Sequence, residues 1–539
     1  MQDARYTERS LFVNRGSCIF KKTMAIVSTV KKNFYQDSMK LMQISQKLSG
    51  MSGIKKAAAI MATEANLAML KETGLFKKGT DSAGPNDLLV TIEAESENAA
   101  NEALKMLDTL LAPHQAGVAA KVEYKDLDSA QSDLPQANIA VISVPGEYAK
   151  LEVAKALDRG LHVFLFSDNV SIDEEIELKL RAEEKGLLMM GPGCGTAIIN
   201  GVGLGFSNVV NRGPIGVIAA AGTGMQEVTS LISNWGLGIS HAIGVGGRDL
   251  SDDVGGITTI EAIRMLQGDK GTKTLLLVSK PPSDKVARRV IDYIRKGDLP
   301  AVICFLGMKD IKAVDSKIQF SRNLDQAALD AIKLMGANKT APKVLSESKW
   351  RKAVQKCKSL LNADQVYLRG LFSGGTLCYE AQQILTPMLG KIYSNAPLYK
   401  QNKLKNSNVS KQHTCIDLGE EEFTKGRPHP MIDATQRRAR LLQEASKPDV
   451  AVILFDVVLG YVASPDPAGD LIPAIDESKK LARNKGRSIT FVAHVCGTEQ
   501  DPQDLKSQVK KLKKAGVMVL PTNALASKVA GLIAKGVKT

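Results

Sequence analysis

Two short stretches of this sequence put a glycine-threonine pair where a strand should hand over to a helix. One is Gly222-Thr223-Gly224, inside IAAAGTGMQEVTSLI at residues 218–232; the other is Gly374-Gly375-Thr376, inside LFSGGTLCYEAQQIL at residues 371–385. Glycine there lets the backbone approach an anion closely, and the first free N–H groups of the helix point at it. The threonine hydroxyl supplies one more donor. Each turn is therefore a candidate phosphate cradle, and two of them at equivalent points could face one anion from two sides. Neither has the GxxxxGK[ST] spacing of a P-loop or its lysine. Packing geometry alone is the alternative reading of either turn. Glu227 and Glu380 follow the threonines by four residues and so share a helix face with them. They either complement the helix dipole or orient a substrate amide.

Other residues could add charge or proton transfer. Lys280, in VSKPPSDK, leaves an apolar strand just before two prolines that stiffen the turn, and could pair with phosphate or simply be solvated. Arg248 and Asp249 sit in the glycine-rich GVGGRDLSDDVGG, which suits a carboxylate or phosphate clamp. FTKGRPHPMID, residues 423–433, sets Lys425, Arg427, His429 and Asp433 in a proline-stiffened loop. Arg427 would bind an anion and His429 could donate a hydrogen bond to a carbonyl oxygen. Asp456 ends a strand and joins the candidate substrate residues, Asp466 reads as a helix cap, and His494 reads as a satisfied strand histidine. Cys194, in MGPGCGTAI with Gly191 and Pro192, has no nearby His or Asp to activate it. The seven cysteines are scattered, without a CxxC pair, so no metal site is expected and a reducing, cytoplasmic compartment is.

The elements that must position these residues are short apolar strands alternating with helical segments. Strands read at 56–62, 87–94, 138–144, 162–167 and 186–191, and the rhythm restarts at 214–224. A third set reads at 365–372, 449–458, 488–495 and 517–521. Strands apolar on both faces between helices predict an α/β fold of several open, mainly parallel Rossmann-like or flavodoxin-like sheets flanked by helices. The expected divisions are an unstructured extension at 1–23, a Rossmann-type domain at 24–208 and two related modules at 213–336 and 350–539. The last module carries a polar insert at 393–414. Ser171 and Glu174 should form a capping box.

The chain has 539 residues, 44% of them hydrophobic, and no apolar run reaches the roughly 18 residues of a membrane span. Lysine and arginine number 71 against 57 acids, a net charge of +14, but the basic residues are dispersed and aromatics make up only 5%. Small anionic substrates fit that pattern better than nucleic acid or membrane.

GGTLCYEA is similar to the SGTLTYEA turn of the succinyl-CoA synthetase α subunit, and MGPGCGTAI resembles that family's GPNCPG loop. Over residues 24–539 the chain resembles the FdrA family, through FYQDSMKLM, ISVPGEYA, LFSDNVSIDEEIELK, GVGGRDLSDDVGGI, DLGEEEFTKGRPHPMIDAT and GTEQDPQ. The resemblance implies a CoA-binding-like domain at 24–208, with Gly191, Pro192 and Cys194 in its loop, and two ligase-type modules. It also implies an AllF-type subunit of a carbamoyltransferase that acts on carbamoyl phosphate and oxamate, works with two companion subunits and requires no cofactor. Two alternatives remain: an acyl-CoA ligase using CoA and ATP, and a non-catalytic ligand-binding scaffold. The ligases pass phosphate through a histidine in a GHAGA loop. Here the equivalent AVICFLGMKDIKAVDSKIQF has no histidine, so no phosphohistidine is expected.

Overall fold

The computed structural model describes residues 25–111 and 124–535, apart from positions 37, 73, 78, 81, 309–315, 337–346 and 426. The expected extension at 1–23 lies outside the described residues, as does part of the histidine-free segment 301–320. The chain forms two compact units, divided between Val122 and Glu123.

In the first unit, β1 (Ala25–Lys31), α1 (Ser38–Ser49), β2 (Ile54–Met61), α2 (Glu64–Glu72), β3 (Leu88–Ala94) and α3 (Glu97–Leu111) build one three-stranded sheet. Its order is β1-β3-β2 and both pairings are antiparallel. This corrects the expected single parallel domain over 24–208. The central strand is apolar on both faces for another reason. Leu88, Val90 and Ile92 pack into a core with Leu41, Leu48 and Leu107, while Leu89 packs on the opposite face with Leu70 and Leu75. Asp87 anchors the loops, accepting the backbone N–H groups of Asn33 and Gly84 beside the Lys32 ammonium. Those donors lower its pKa to about 2.

The second unit opens with α4 (Leu127–Asp133), β4 (Ile139–Ile142), α5 (Gly146–Asp158), β5 (His162–Leu165), α6 (Ile172–Glu184) and β6 (Met189–Met190). The strands form a parallel sheet in the order β4-β5-β6. Ser171 and Glu174 make the expected capping box at α6. The hairpin of β7 (Thr196–Ile199) and β8 (Val202–Gly205) leaves this sheet and joins the next through an antiparallel Ile198–Ala242 pairing.

The first module consists of β9 (Arg212–Ala219), α7 (Gly222–Asn234), β10 (Ile239–Gly244), α8 (Ile257–Gly268), β11 (Thr274–Ser279), α9 (Asp284–Lys296), β12 (Ala301–Phe305), β13 (Ile318–Phe320) and α10 (Leu324–Leu334). With the hairpin it makes a seven-stranded sheet ordered β13-β12-β11-β9-β10-β7-β8. The second module consists of α11 (Glu347–Lys358), β14 (Tyr367–Phe372), α12 (Gly375–Leu389), β15 (Thr414–Asp417), α13 (Glu421–Thr424), α14 (Thr435–Ala445), β16 (Val450–Val458), α15 (Pro467–Asn484), β17 (Thr490–Cys496), α16 (Leu505–Lys514), β18 (Met518–Leu520) and α17 (Asn523–Ala534). Its five strands run parallel in the order β15-β14-β16-β17-β18.

The two modules share one core. Helices α7 and α10 of the first pack with α12 and α17 of the second. Met225, Val228, Ile332, Leu377, Leu385, Val529 and Ile533 all belong to this one cluster and are at most 1% exposed. Burying each large aliphatic side chain contributes about 1.5–3 kcal/mol, so the layer ties the modules into one body. That explains the repeated turn. The starts of α7 and α12 are equivalent points of two similar modules, brought together by the shared layer.

Candidate functional site

Both Gly-Thr turns lie at strand-to-helix junctions, after β9 and after β14. They approach each other closely and reciprocally. A Cβ added to Gly374 would sit 2.2 Å from Thr223 Cγ2, and one added to Gly224 would sit 2.7 Å from Thr376 Cγ2. Glycine is required at both positions for this approach. The expectation of two openly exposed cradles is corrected here, because Thr223 and Thr376 are 6% and 3% exposed. The turns are closed against each other, and the first also packs against its own sheet, where a Cβ on Gly224 would lie 3.2 Å from Val278 Cγ1.

The approach has an electrostatic cost. A helix N-terminus carries roughly half a positive charge, and neither Ala221 nor Gly374, the N-cap residues of α7 and α12, supplies a side-chain cap. Their neighbours are capped: Asn323 caps α10, Ser283 caps α9, and Asp249 receives the first-turn N–H groups of α8. Thr223 Oγ1 is buried without a hydrogen-bond partner. Lys280 adds a full charge, for a Cβ on Gly375 would lie 2.7 Å from its Nζ. The arrangement favours an anion at this point.

On the side of the second module, Asp417 ends β15 and is 2% exposed. Its backbone is clamped by Asn395 of the polar insert, whose amide accepts the Asp417 N–H at 3.0 Å and donates to the Asp417 carbonyl at 2.9 Å. Asp417 Oδ2 lies 2.7 Å from the same Gly375 Cβ point as Lys280. Its Oδ1 accepts the Gly419 N–H, and a Cβ on Gly419 would be 3.2 Å from Oδ1 and 3.0 Å from His429 Nε2. Burial and the nearby Glu420 carboxylate raise the Asp417 pKa to about 7 against the pull of Lys280. Sequence reasoning missed Asp417. Its only signal was a carboxylate ending a strand beside a glycine.

His429 is held by its loop and by packing against Phe206, with ring centroids 5.1 Å apart and the planes tilted by 41°. Burial, with the Arg437 charge, depresses its pKa to about 4, so the imidazole is neutral near pH 7. Nδ1 accepts the Met431 N–H at 3.3 Å, which leaves the proton on Nε2, the atom that faces Gly419. The cation that acts on His429 is thus Arg437 and not, as the sequence suggested, Arg427, which is exposed.

Several expected site residues do structural work instead. Asp456 is fully buried beneath the second turn. It accepts the Ser373 N–H and hydroxyl and pairs with Arg437 at 2.9 Å, so it positions the turn. Arg248 is not a free clamp, because it donates to Glu175 and to the Val170 carbonyl, while Asp249 pairs with buried Lys179 at 2.6 Å. Cys194 is buried, donates to the Thr196 and Gly244 carbonyls, and has its pKa pushed up to about 12, so it is no nucleophile. Gly191 and Pro192 shape the loop after β6, where Gly191 (φ +109°) passes 2.3 Å, measured from an added Cβ, from the Leu165 carbonyl. Asp466 caps α15 as expected.

The repeated glutamates cap the helices of the opposite module. Glu227 of α7 accepts the Asn523 N–H at the start of α17 and bonds His494 Nε2 at 2.7 Å. Glu380 of α12 accepts the Leu324 N–H at the start of α10 and the Asn523 side-chain amide at 2.7 and 2.8 Å. Burial, with Asp325 nearby, raises the Glu380 pKa to about 8. Burial pulls the His494 pKa down, but the Glu227 carboxylate outweighs it and the net shift is upward.

A pH dependence of stability follows from these shifts. Glu380, Asp417 and His494 hold protons more tightly when folded, so their contribution is present at low pH and lost as pH rises. For Glu380 the loss runs from its ordinary 4.5 to about 8. His413 and His429, lowered from 6.5 to about 4, act in the opposite sense as pH falls below 6.5. The thermal midpoint should therefore change little between about pH 5 and 6.5 and decline from there to about pH 8.5. Calorimetry across that range checks it, and Glu380→Gln should make the decline shallower.

Against known proteins, the CoA-ligase family model matches residues 371–533. A second, described as AllF, heavy metal-associated domain, matches residues 24–126. The chain is 40% identical over 512 residues to the uncharacterized protein YahF of Escherichia coli K12, covering 95% of this chain and 98% of that one. It is 29% identical over 172 residues to the α subunit 2 of the ADP-forming succinate–CoA ligase of Archaeoglobus fulgidus, spanning 31% of this chain and 58% of that subunit. A solved dinucleotide-forming acetyl-coenzyme A synthetase 1 of Ca. Korarchaeum cryptofilum aligns at 17% identity over 82% of this chain and 93% of that one, with a TM-score of 0.30.

Residues 24–126 offer no thiolate to a heavy metal. They contain no cysteine and one histidine, His114, which lies outside the described residues. Among the described residues no three His, Cys, Asp or Glu side chains converge. Also among the described residues, no helix is long and apolar enough to cross a membrane. The two matched domains and the near full-length relationship to YahF agree with the paired turns and the α/β modules: the chain belongs to the FdrA family of AllF-type proteins, within the succinyl-CoA synthetase-like superfamily.

Proposed function

We propose that the chain is the AllF-type subunit of a cytoplasmic carbamoyltransferase that moves a carbamoyl group between carbamoyl phosphate and oxamate, together with two companion subunits. The observation that carries this reading is the convergence of two uncapped helix N-termini, the unpartnered Thr223 hydroxyl and Lys280 beside a neutral His429. The cationic part suits the phosphate of an acyl phosphate. The His429 Nε2–H suits its carbonyl oxygen, on which negative charge develops during transfer. Such chemistry needs no cofactor and no phosphorylated histidine, since alignment and electrostatic stabilisation supply the acceleration.

In this reading the N-terminal groups of α7 and α12 bind the phosphoryl oxygens and Lys280 neutralises their second charge. His429 polarises the carbonyl. The reaction is assayed by mixing the chain with its companions and following phosphate release from carbamoyl phosphate and oxamate. Release that requires CoA or ATP instead would support the ligase alternative and overturn this one. Binding is tested separately. Inorganic phosphate titrated calorimetrically into Lys280→Ala should bind roughly tenfold more weakly or worse, the loss of one charge-assisted hydrogen bond. Equal affinity would remove Lys280 from the site.

A further inference from the structure

We propose that the outer edge of β4 is a self-association surface, on which a second copy of this chain docks through its own β4 and α5. The inference goes beyond the reaction and does not depend on it. β4 is the outer strand of the parallel β4-β5-β6 sheet, and among the described residues no strand pairs with its other edge. The Asn138 and Ile142 carbonyls accept the His162 and Phe166 N–H groups on the β5 side. Strand residues alternate in direction, so the N–H and C=O groups of Ile139 and Val141 point to the open edge. Natural edges are blunted by charged residues or by proline within the strand. Here residues 134–146, LPQANIAVISVPG, carry no charge, and both prolines lie outside β4.

Apolar side chains flank this edge on both faces of the sheet. Ala140 and Ile142 pack with Val163 and Leu165 under α5 and α6, so Val141 points to the opposite face. On that face Phe164 and Met190 are buried against the first module, but the cover stops short of β4. On the helical face, α6 lies along one flank of α5, where Lys150 pairs with Glu177 at 2.6 Å. Tyr148 lies about 160° round the helix from Lys150. Tyr148, Leu151, Glu152 and Lys155 follow the i, i+3, i+4, i+7 spacing of one stripe on the side away from α6. Val141, Tyr148 and Leu151 are 59%, 58% and 60% exposed.

A two-fold axis perpendicular to the sheet covers all of these groups at once. It sets β4 antiparallel to its copy, and residues that meet across such a pair face the same side. Val141 therefore meets the second copy's Val141 or Ile139 on the uncovered face. Both sheets keep their helices on one side, so α5 comes to lie beside the second copy's α5 and the two stripes meet antiparallel. An extended peptide would fill the edge but leave Tyr148 and Leu151 in water. Charge favours the chain's own copy as well. At +14, two chains repel each other over most of their surface. This face is locally neutral: the edge is uncharged, and the stripe holds one acid and one base, Glu152 and Lys155, paired at 2.9 Å. Antiparallel contact offers each of them an opposite charge from the other copy.

The test is sedimentation velocity on the full chain without other proteins, over about 0.5 to 100 μM, where a dimer should form as concentration rises. Hydrogen exchange at the Ile139 and Val141 amides should slow over the same range. Val141→Lys and Leu151→Lys should each weaken the dimer on the order of tenfold or more. Both side chains are more than half exposed, so the circular dichroism of the variants and their binding of inorganic phosphate should match wild type. A chain that stays monomeric throughout would overturn the proposal, and so would a dimer that persists undiminished in either variant. A monomeric chain that binds companion subunits, and loses them on Val141→Lys, would assign the face to a companion and overturn self-pairing.

Discussion

His429→Asn should slow carbamoyl transfer on the order of a hundredfold while inorganic phosphate still binds at Thr223 and Thr376. The effect is large because His429 offers a donor of fixed direction. Phe206 packs against the ring at a tilt of 41°, the Met431 N–H occupies Nδ1, and the remaining proton sits on Nε2. With the pKa down at about 4, no titration of this group should appear in the activity between pH 5.5 and 8. Asparagine keeps an N–H but is shorter and lacks the ring that Phe206 holds, so its donor falls short of the developing oxyanion. Steady-state rates with the companion subunits, paired with calorimetric phosphate titration, check both halves. An Asn variant with wild-type turnover would remove His429 from the chemistry. An acid-labile phosphate on His429, formed from labelled ATP and lost in the Asn variant, would restore the ligase reading.

Glu227→Ala should cost about 3–5 kcal/mol of stability in the second unit. The carboxylate is 1% exposed and serves the His494 imidazole and the first N–H of α17 together. Removing it leaves a buried imidazole and a helix start without partners inside the layer that joins the modules. Glu227→Gln should lose less, because its amide oxygen still accepts one of the two donors. Chemical denaturation measures both, and an Ala variant within about 1 kcal/mol of wild type would show that the cross-module caps are dispensable. Because α7 and α17 also carry the packing that sets the two turns together, phosphate binding should weaken in step with stability.

Much of the architecture was legible because it is written in local chemistry. The strands expected at 138–144, 162–167, 365–372 and 449–458 lie where β4, β5, β14 and β16 form, since short apolar runs between helical periods have few other solutions. Ser171 with Glu174 announces its helix start by side-chain hydrogen bonds that need no partner from elsewhere. The Gly-Thr turns could be placed at strand-to-helix junctions for the same reason. Residues 25–94 show the limit. A strand covered on both faces looks the same whether its neighbours run parallel or antiparallel, and only the pairing of β3 with β1 and β2 decided the matter.

The site itself belongs more to the tertiary structure. Sequence alone determined that two similar glycine turns would start two helices, each carrying a glutamate one helical turn onward, and that a stiff loop would present a histidine. It could not determine what those glutamates touch, because the partners of Glu227 and Glu380 lie in the other module, at Asn523 and Leu324. It promoted Arg248 and Asp456 as ligand groups, since a charge at a strand end looks available until a buried counter-charge such as Glu175 or Arg437 is seen against it. It passed over Asp417 for the converse reason. The environment of a carboxylate is set by whatever packs around it: Gly375 and His429 meet Asp417 when the second module folds, and Lys280 joins them only once the two modules close on each other. Hydrogen bonds within one turn can be read along the chain, whereas desolvation and long-range charge pairing depend on distances that only the packed modules set.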